Sequence, residues 1–141
     1  MKYVIDASIA EAWYVLGPNT MKALQIRSDF HRGLHELLAP DVFPAEAAEL
    51  LVKAELTRML PAGSTSRHLH TLQITGVSLH PSFPLLARAS EIALTTRLQL
   101  FASLYVALAE REQCQLLTTD RKLLCNAHRQ FNFVVPLASI P

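Results

Sequence analysis

The sequence predicts an α/β fold in which helices flank a short, mostly parallel central sheet. Short apolar runs alternate along the chain with segments of helical periodicity, which is the pattern of strand–helix–strand units. Half of the 141 residues are hydrophobic, so the chain can fill one core. No repeat or linker interrupts the alternation, and we therefore expect a single domain over residues 1–141.

Five short runs are predicted to be buried strands because they are apolar and are bounded by polar or turn-forming residues. The first begins near the N-terminus and ends in a carboxylate, and Pro40 closes the second. The five runs are Lys2–Asp6, Leu37–Ala39, Val77–Leu79, Leu116–Thr118 and Phe131–Val135.

Seven segments between these runs are predicted to be helices from their apolar spacing and their flanking residues. Four of them follow side chains that can cap a helix: Asp6 or Ser8, Asn19, Asp41 and Asp120. In order, the helices cover Ile9–Leu16, Thr20–His31, Asp41 to about Leu60, Ser64–Ile74, Pro84–Thr96, Ala102–Glu112 and Asp120 to about Ala127.

The charge balance and the cysteines narrow the class of protein. The chain has 13 Lys+Arg against 12 Asp+Glu, so any nucleic-acid contact must come from local clusters of basic residues. Cys114 and Cys125 have no zinc-site spacing and are expected to be ordinary buried thiols. The apolar run Tyr3–Ile5 is too short for the apolar region of a signal peptide, and no segment is apolar over the length of a membrane span. These features predict a cytoplasmic protein without a membrane partner.

Two carboxylates lie where a parallel sheet usually binds its ligands, at the carboxyl ends of strands. Asp6 ends the first strand, and Asp120 follows the strand Leu116–Thr118. Each residue taken alone reads as a helix N-cap. If the two strands are neighbours, both carboxylates enter one cleft and repel each other. Mg²⁺ or Mn²⁺, which prefer oxygen ligands, would relieve that repulsion.

Glu46 is a third candidate because it lies in the first turn of a helix among mostly apolar residues. Its alternative role is a simple interaction with the helix dipole. Glu49 lies one turn further along the same side and is interpreted as a surface charge or as a support for the site.

Three segments resemble the PIN-domain ribonucleases. The first is Val4–Ser8, followed by Trp13, and the second is Ala39–Glu46. The third and most specific has the helix sequence YVALAE, a strand, and then T-x-D-x-x-L ending at Leu123. This third segment resembles the VapC-like toxins of type II toxin–antitoxin pairs. The segments follow one another in the family's order and span nearly the whole chain.

The resemblance implies a three-layer fold and Mg²⁺-dependent (or Mn²⁺-dependent) cleavage of RNA phosphodiester bonds. It assigns Asp6, Glu46 and Asp120 as catalytic and metal-binding acids, with Ser8 and Thr118 as supporting residues. It also implies a homodimer and a cognate antitoxin that places a peptide in the cleft.

The family pattern has an aspartate where this chain has Ala102. The neighbouring Ser103 is neutral and lies about 100° further around the helix, so it is not expected to replace that acid. The charge of three acids matches one divalent cation well, whereas two divalent cations would need more negative charge. The alanine has three explanations: a deliberate change that silences a nuclease, a natural loss, or compensation by another acid such as Glu49.

Three functions follow from these residues. The leading hypothesis is a VapC-like endoribonuclease impaired by Ala102. The alternative is a catalytically inactive PIN-like module that binds RNA or an antitoxin, and a further reading is a small α/β domain without a metal. RNA would be contacted by basic residues near Asp120, namely Arg121 and Lys122, with Arg129 and Lys53 further away. These four side chains can equally be plain solvated surface.

Overall fold

A computed structural model describes residues 1–141 and has a five-stranded, all-parallel sheet at its centre. The strands are β1 (Lys2–Ile5), β2 (Glu36–Pro40), β3 (Ser78–His80), β4 (Gln115–Thr118) and β5 (Val134–Pro136). Their order across the sheet is β3-β2-β1-β4-β5. The α/β class and the parallel sheet predicted from the alternating pattern are confirmed.

Seven α-helices connect and flank the strands. They are α1 (Ala7–Tyr14), α2 (Thr20–His31), α3 (Phe43–Leu56), α4 (Ser64–Thr75), α5 (Leu86–Thr96), α6 (Leu100–Glu112) and α7 (Arg121–Ala127). Two single 3₁₀ turns, Phe83–Leu85 and Leu137–Ser139, precede α5 and follow β5.

The central position of β1 explains its continuous apolar sequence. Val4 is paired with Leu38 of β2 on one side and with Leu116 of β4 on the other. Tyr3, Val4 and Ile5 are all buried, because helices cover both faces of an all-parallel sheet. The register also aligns the carboxyl ends of β1 and β4, and this alignment brings the residues after Ile5 next to those at the end of β4.

Helix α6 is the principal core helix. Every residue from Ser103 to Ala109 is buried, and the helix packs on β1, β2, β4 and α5. No single helix is long and apolar enough to span a membrane; α5 with its 3₁₀ turn and α6 meet that test only as a pair, which is bent by 116°.

Two of the predicted capping side chains do not cap their helices. Asn19 makes no capping hydrogen bond; instead the Thr20 hydroxyl accepts the Gly17 N–H at 3.0 Å. Asp41 lies outside α3, whose N-cap is Val42, and its carboxylate accepts a hydrogen bond from Ser82. Since both N-cap positions have helical backbone angles, their geometry is not the extended one that side-chain capping requires.

Several element boundaries also differ from the sequence prediction. Helix α3 ends at Leu56 rather than near Leu60, because Arg58 adopts a left-handed conformation with φ of 63°. Strand β5 begins at Val134 rather than Phe131, because the Phe131 N–H donates to the Ala127 carbonyl and continues the turn after α7. Helix α6 begins two residues earlier than predicted, at Leu100.

The two cysteines do not share one environment. Cys114 is partly buried, whereas Cys125 is exposed on α7. The prediction that both are buried thiols is wrong for Cys125, because an apolar stretch of sequence does not specify which side of a short helix faces the sheet.

Leu108→Ala should lower the free energy of unfolding by about 2–5 kcal/mol, since it removes a fully buried side chain and leaves a cavity. Leu94→Ala is the matched control because Leu94 is 84% exposed on α5, and its effect should stay within about 0.5 kcal/mol. Urea denaturation followed by circular dichroism measures both. Equal effects would contradict the assignment of α6 as the core helix.

Candidate active site

The buried carboxylate of Asp6 lies at the centre of the candidate site. Asp6 is the N-cap of α1, directly after β1, and is only 7% exposed. Its Oδ1 accepts the Ser8 N–H at 3.1 Å and the Ser8 hydroxyl at 2.5 Å. Its Oδ2 accepts the Thr118 hydroxyl at 2.5 Å. The two carboxylate oxygens are therefore held by groups from the start of α1 and from the end of β4.

Ser8 and Thr118 also hold the loop that follows β4. The Ser8 hydroxyl accepts the Thr119 N–H at 2.9 Å, and the Thr118 hydroxyl accepts the Asp120 N–H at 2.9 Å. The same two hydroxyls thus bind the Asp6 carboxylate on one side and the backbone before α7 on the other. The structure places both residues beside Asp6, where a supporting role requires them.

Asp120 is the N-cap of α7. Its Oδ1 accepts the N–H groups of Lys122 at 2.9 Å and Leu123 at 3.3 Å, while Oδ2 has no hydrogen bond. The capping interpretation is confirmed, and because the cap uses only one carboxylate oxygen, it is compatible with a further role of Asp120 in the site. Burial raises the pKa of Asp6 to about 6, and the nearby charge of Asp120 adds to that rise against the opposing hydrogen bonds from Ser8 and Thr118.

Glu46 enters the same region from the first turn of α3. Its Oε1 accepts the hydroxyl of Tyr105, on α6, at 2.7 Å. Partial burial raises the pKa of Glu46, with the Tyr105 hydrogen bond opposing the rise and the Glu49 charge adding to it. Burial and the neighbouring Glu46 carboxylate raise the pKa of Tyr105, so the phenol acts as a permanent donor.

Tyr105 is the first residue of the helical motif YVALAE, and the sequence did not predict its place in the site. Its hydroxyl could have indicated a polar contact in the site, since a buried tyrosine usually finds a hydrogen-bond partner.

A cleft of about 360 Å³ joins these groups. It opens at the carboxyl end of β1 and β4, as expected for a parallel sheet. Every charged side chain that lines it is acidic: Asp6, Glu11, Glu46, Glu49 and Asp120. Ala102 and Tyr105 of α6 also line it.

A sequence model described as the PIN domain matches residues 3–128. The chain belongs to the PIN domain family. Members of this family have a nuclease-type fold, are generally dependent on a divalent metal, and generally bind RNA.

The crystal structure of PAE2754 from Pyrobaculum aerophilum superposes with a TM-score of 0.69 at 22% identity, and covers 99% of this chain and 94% of that one. This similarity shows a shared fold. None of the curated proteins matches the chain significantly.

The position of the missing acid in this PIN domain is on the wall of the cleft. Ala102 lies on the first turn of α6 and faces the same space as Asp6 and Asp120. Ser103 is fully buried, and its hydroxyl donates to the Gln99 carbonyl at 3.1 Å. Ser103 therefore does not replace the acid, as its position on the helix predicted.

Glu11 is an acidic lining residue that the sequence reasoning missed. It lies on α1, three residues after Ser8, and positions three apart share one side of a helix. Burial raises the pKa of Glu11, and the charge of Lys53 partly opposes that rise. Glu49, the acid considered from the sequence, also lines the cleft but is exposed.

The donor set of this PIN domain fits a hydrated divalent cation. No three His, Cys, Asp or Glu side chains lie close enough together to form a closed metal cage. Mg²⁺ does not need one, because it keeps several waters and takes one or two carboxylates with oxygens of its substrate. Asp6 and Asp120 offer such oxygens. Their negative charges repel each other, and a bound cation would neutralise them.

The basic residues proposed for RNA contact lie outside the cleft. Arg121 and Lys122 are exposed on the first turn of α7, immediately after Asp120. Lys53 is exposed on α3, and Arg129 follows α7. Of these, only Lys53 has a resolved electrostatic influence on a residue of the cleft, Glu11.

The pKa of Asp6 predicts a pH-dependent stability for the metal-free protein. An acid with a higher pKa in the folded state stabilises the fold while protonated. That stabilisation is present below the unfolded pKa of 3.8 and is lost as pH rises through about 6. In EDTA, raising the pH from about 4 to about 7 should lower the free energy of unfolding of the wild type by on the order of 2–3 kcal/mol more than that of Asp6→Asn. Urea denaturation at several pH values measures this; parallel profiles would contradict the assignment.

Proposed function

We propose that this PIN domain is a divalent-metal-dependent endoribonuclease of the VapC-like toxin type, cleaving RNA phosphodiester bonds at a rate limited by Ala102. The observation that carries the proposal is the convergence of Asp6, Glu46 and Asp120 on one cleft. They come from the end of β1, from α3 and from the start of α7, so three separate parts of the chain contribute to one acidic site.

The residues divide the chemistry between them. Asp6 and Asp120 would hold a single Mg²⁺ or Mn²⁺, which supplies positive charge against the charge that develops on a phosphoryl group. Glu46 is suited to accept a proton from an attacking water, because partial burial raises its pKa and so makes the carboxylate a stronger base. Tyr105 holds Oε1 of Glu46 and leaves Oε2 for that water.

Ser8 and Thr118 keep Asp6 ionisable and correctly oriented. Their hydroxyls bind both carboxylate oxygens, which opposes the rise in pKa that burial causes. The carboxylate is therefore prepared for a cation before one arrives, and the site needs little rearrangement to bind it.

The toxin-type assignment also proposes partners. These are an RNA substrate, a second copy of the chain in a homodimer, and a cognate antitoxin, all in the cytoplasm. The acidic cleft supports the antitoxin part of the proposal, because an arginine side chain from an inhibitory peptide would form charge-assisted hydrogen bonds with such carboxylates.

The second candidate function is a catalytically inactive module that binds RNA or an antitoxin. Ala102 favours it, because the helix wall beside Asp6 and Asp120 presents a methyl group where the family pattern places a carboxylate. This module would bind RNA through Arg121 and Lys122 without cleaving it.

Ala102→Asp separates the two functions. If the site is a nuclease limited by its missing acid, Ala102→Asp should raise Mg²⁺-dependent cleavage by about tenfold or more, which corresponds to about 1.4 kcal/mol of the barrier. Cleavage of a structured RNA, with and without EDTA, measures it. Asp6→Asn and Asp120→Asn in the same background should abolish the activity. Equal rates for wild type and Ala102→Asp would contradict the proposed limit, and no cleavage by either would favour the inactive module.

If Arg121 and Lys122 contact RNA phosphates, replacing them should weaken RNA binding in a way that depends on salt concentration. Changing both Arg121 and Lys122 to glutamine should weaken RNA binding and reduce the slope of log affinity against log salt by about two. The control changes Lys22 and Arg32, on or next to α2, which do not line the cleft. Fluorescence anisotropy over a salt series measures both proteins. If the control lowers the slope as much as the test variant, the contact is not at α7.

A further inference from the structure

The cleft has an alanine on one wall where the family pattern has an acid, and it contains an unassigned acid on another. Ala102 of α6 leaves that wall without a carboxylate, while Glu11 projects into the same cleft from α1. Neither the nuclease roles assigned above nor the packing of α1 explains why a carboxylate is present at position 11.

The surroundings of Glu11 distinguish it from an ordinary surface glutamate. It is partly buried, makes no side-chain hydrogen bond and forms no ion pair within 4.0 Å. Lys53 influences it only through its charge and is itself exposed. A partly buried carboxylate without a partner is unfavourable, and this cost would be relieved by a cation in the cleft.

Glu11 is also close in the chain to the hydrogen-bonded centre of the site. Ser8, one turn earlier on α1, binds Asp6 and the loop before Asp120. Because α1 begins at Asp6, the position of Glu11 relative to that carboxylate is set by less than two turns of helix. Its side chain can change rotamer without breaking any interaction.

Glu49 is a weaker candidate for the same role. It lines the cleft but is exposed, so water already solvates its charge when no cation is bound. It also lies on the same helix as Glu46, and therefore adds charge to a wall that already has an acid.

We propose that Glu11 supplies the negative charge that is absent at position 102 and, together with Asp6 and Asp120, helps to bind the hydrated divalent cation of this cleft. The inference rests on the proposed metal-dependent function. It gives this chain a cation site built on α1, α3 and the loop before α7, with α6 contributing only Tyr105.

The test is a titration of each protein with Mn²⁺, with free Mn²⁺ measured by electron paramagnetic resonance. Glu11→Gln keeps the size of the side chain and should weaken Mn²⁺ binding by about tenfold or more. Adding Ala102→Asp to Glu11→Gln should restore most of the affinity, because it adds a carboxylate to the cleft from α6. Thermal unfolding of the metal-free proteins checks that each variant folds.

Glu49→Gln is the matched control, since it removes the same charge from the same cleft at an exposed position. It should change the affinity by less than about twofold. If Glu11→Gln binds Mn²⁺ like the wild type, or if Glu49→Gln weakens binding equally, the assignment of Glu11 is overturned while the proposed nuclease stands. If the wild type neither binds Mn²⁺ nor cleaves RNA, both proposals fall.

Discussion

The hydrogen bonding of one buried carboxylate constrains the whole functional end of this molecule. Asp6 follows the central strand and is almost inaccessible to water, so its charge must be satisfied by protein groups. The donors come from Ser8 on α1 and Thr118 on β4, which requires β1 and β4 to be adjacent and in register. The same two hydroxyls accept the amides of Thr119 and Asp120. Satisfying Asp6 therefore also places Asp120.

In this arrangement the stability of the metal-free protein conflicts with the proposed function. Burial and the charge of Asp120 raise the pKa of Asp6, whereas the hydrogen bonds lower it. The rise is the larger of the two effects. Moving either acid away would stabilise the metal-free protein but would disperse the donors for a cation. Sites that concentrate like charges commonly reduce stability in this way. Helix α6 limits the reduction, because Ala102 adds no further negative charge beside Tyr105 and Glu46.

The parts of the site that could be predicted from sequence depend on strand ends and helix spacing. Asp6 and Asp120 follow apolar runs, so a parallel sheet brings them to one edge whatever the detailed packing. Glu11 could not be assigned in this way, because its position on α1 becomes informative only when the side of α1 that faces the cleft is known. The prediction that Asn19 and Asp41 cap their helices was wrong for a related reason, since capping depends on backbone angles that the residue type does not determine.

The charge of the cleft determines the order in which its ligands can bind. All five charged residues that line it are acidic, and the nearest resolved basic influence is that of Lys53 on Glu11. An RNA phosphate entering such a cleft alone would be repelled, since the low dielectric of a partly buried site strengthens like-charge interactions. Arg121 and Lys122 lie on the exposed start of α7, outside the cleft, so they cannot neutralise its interior. If the proposed function is right, basic side chains at the rim would attract RNA, but the RNA backbone would reach Asp6 only after a cation had neutralised the acids around it.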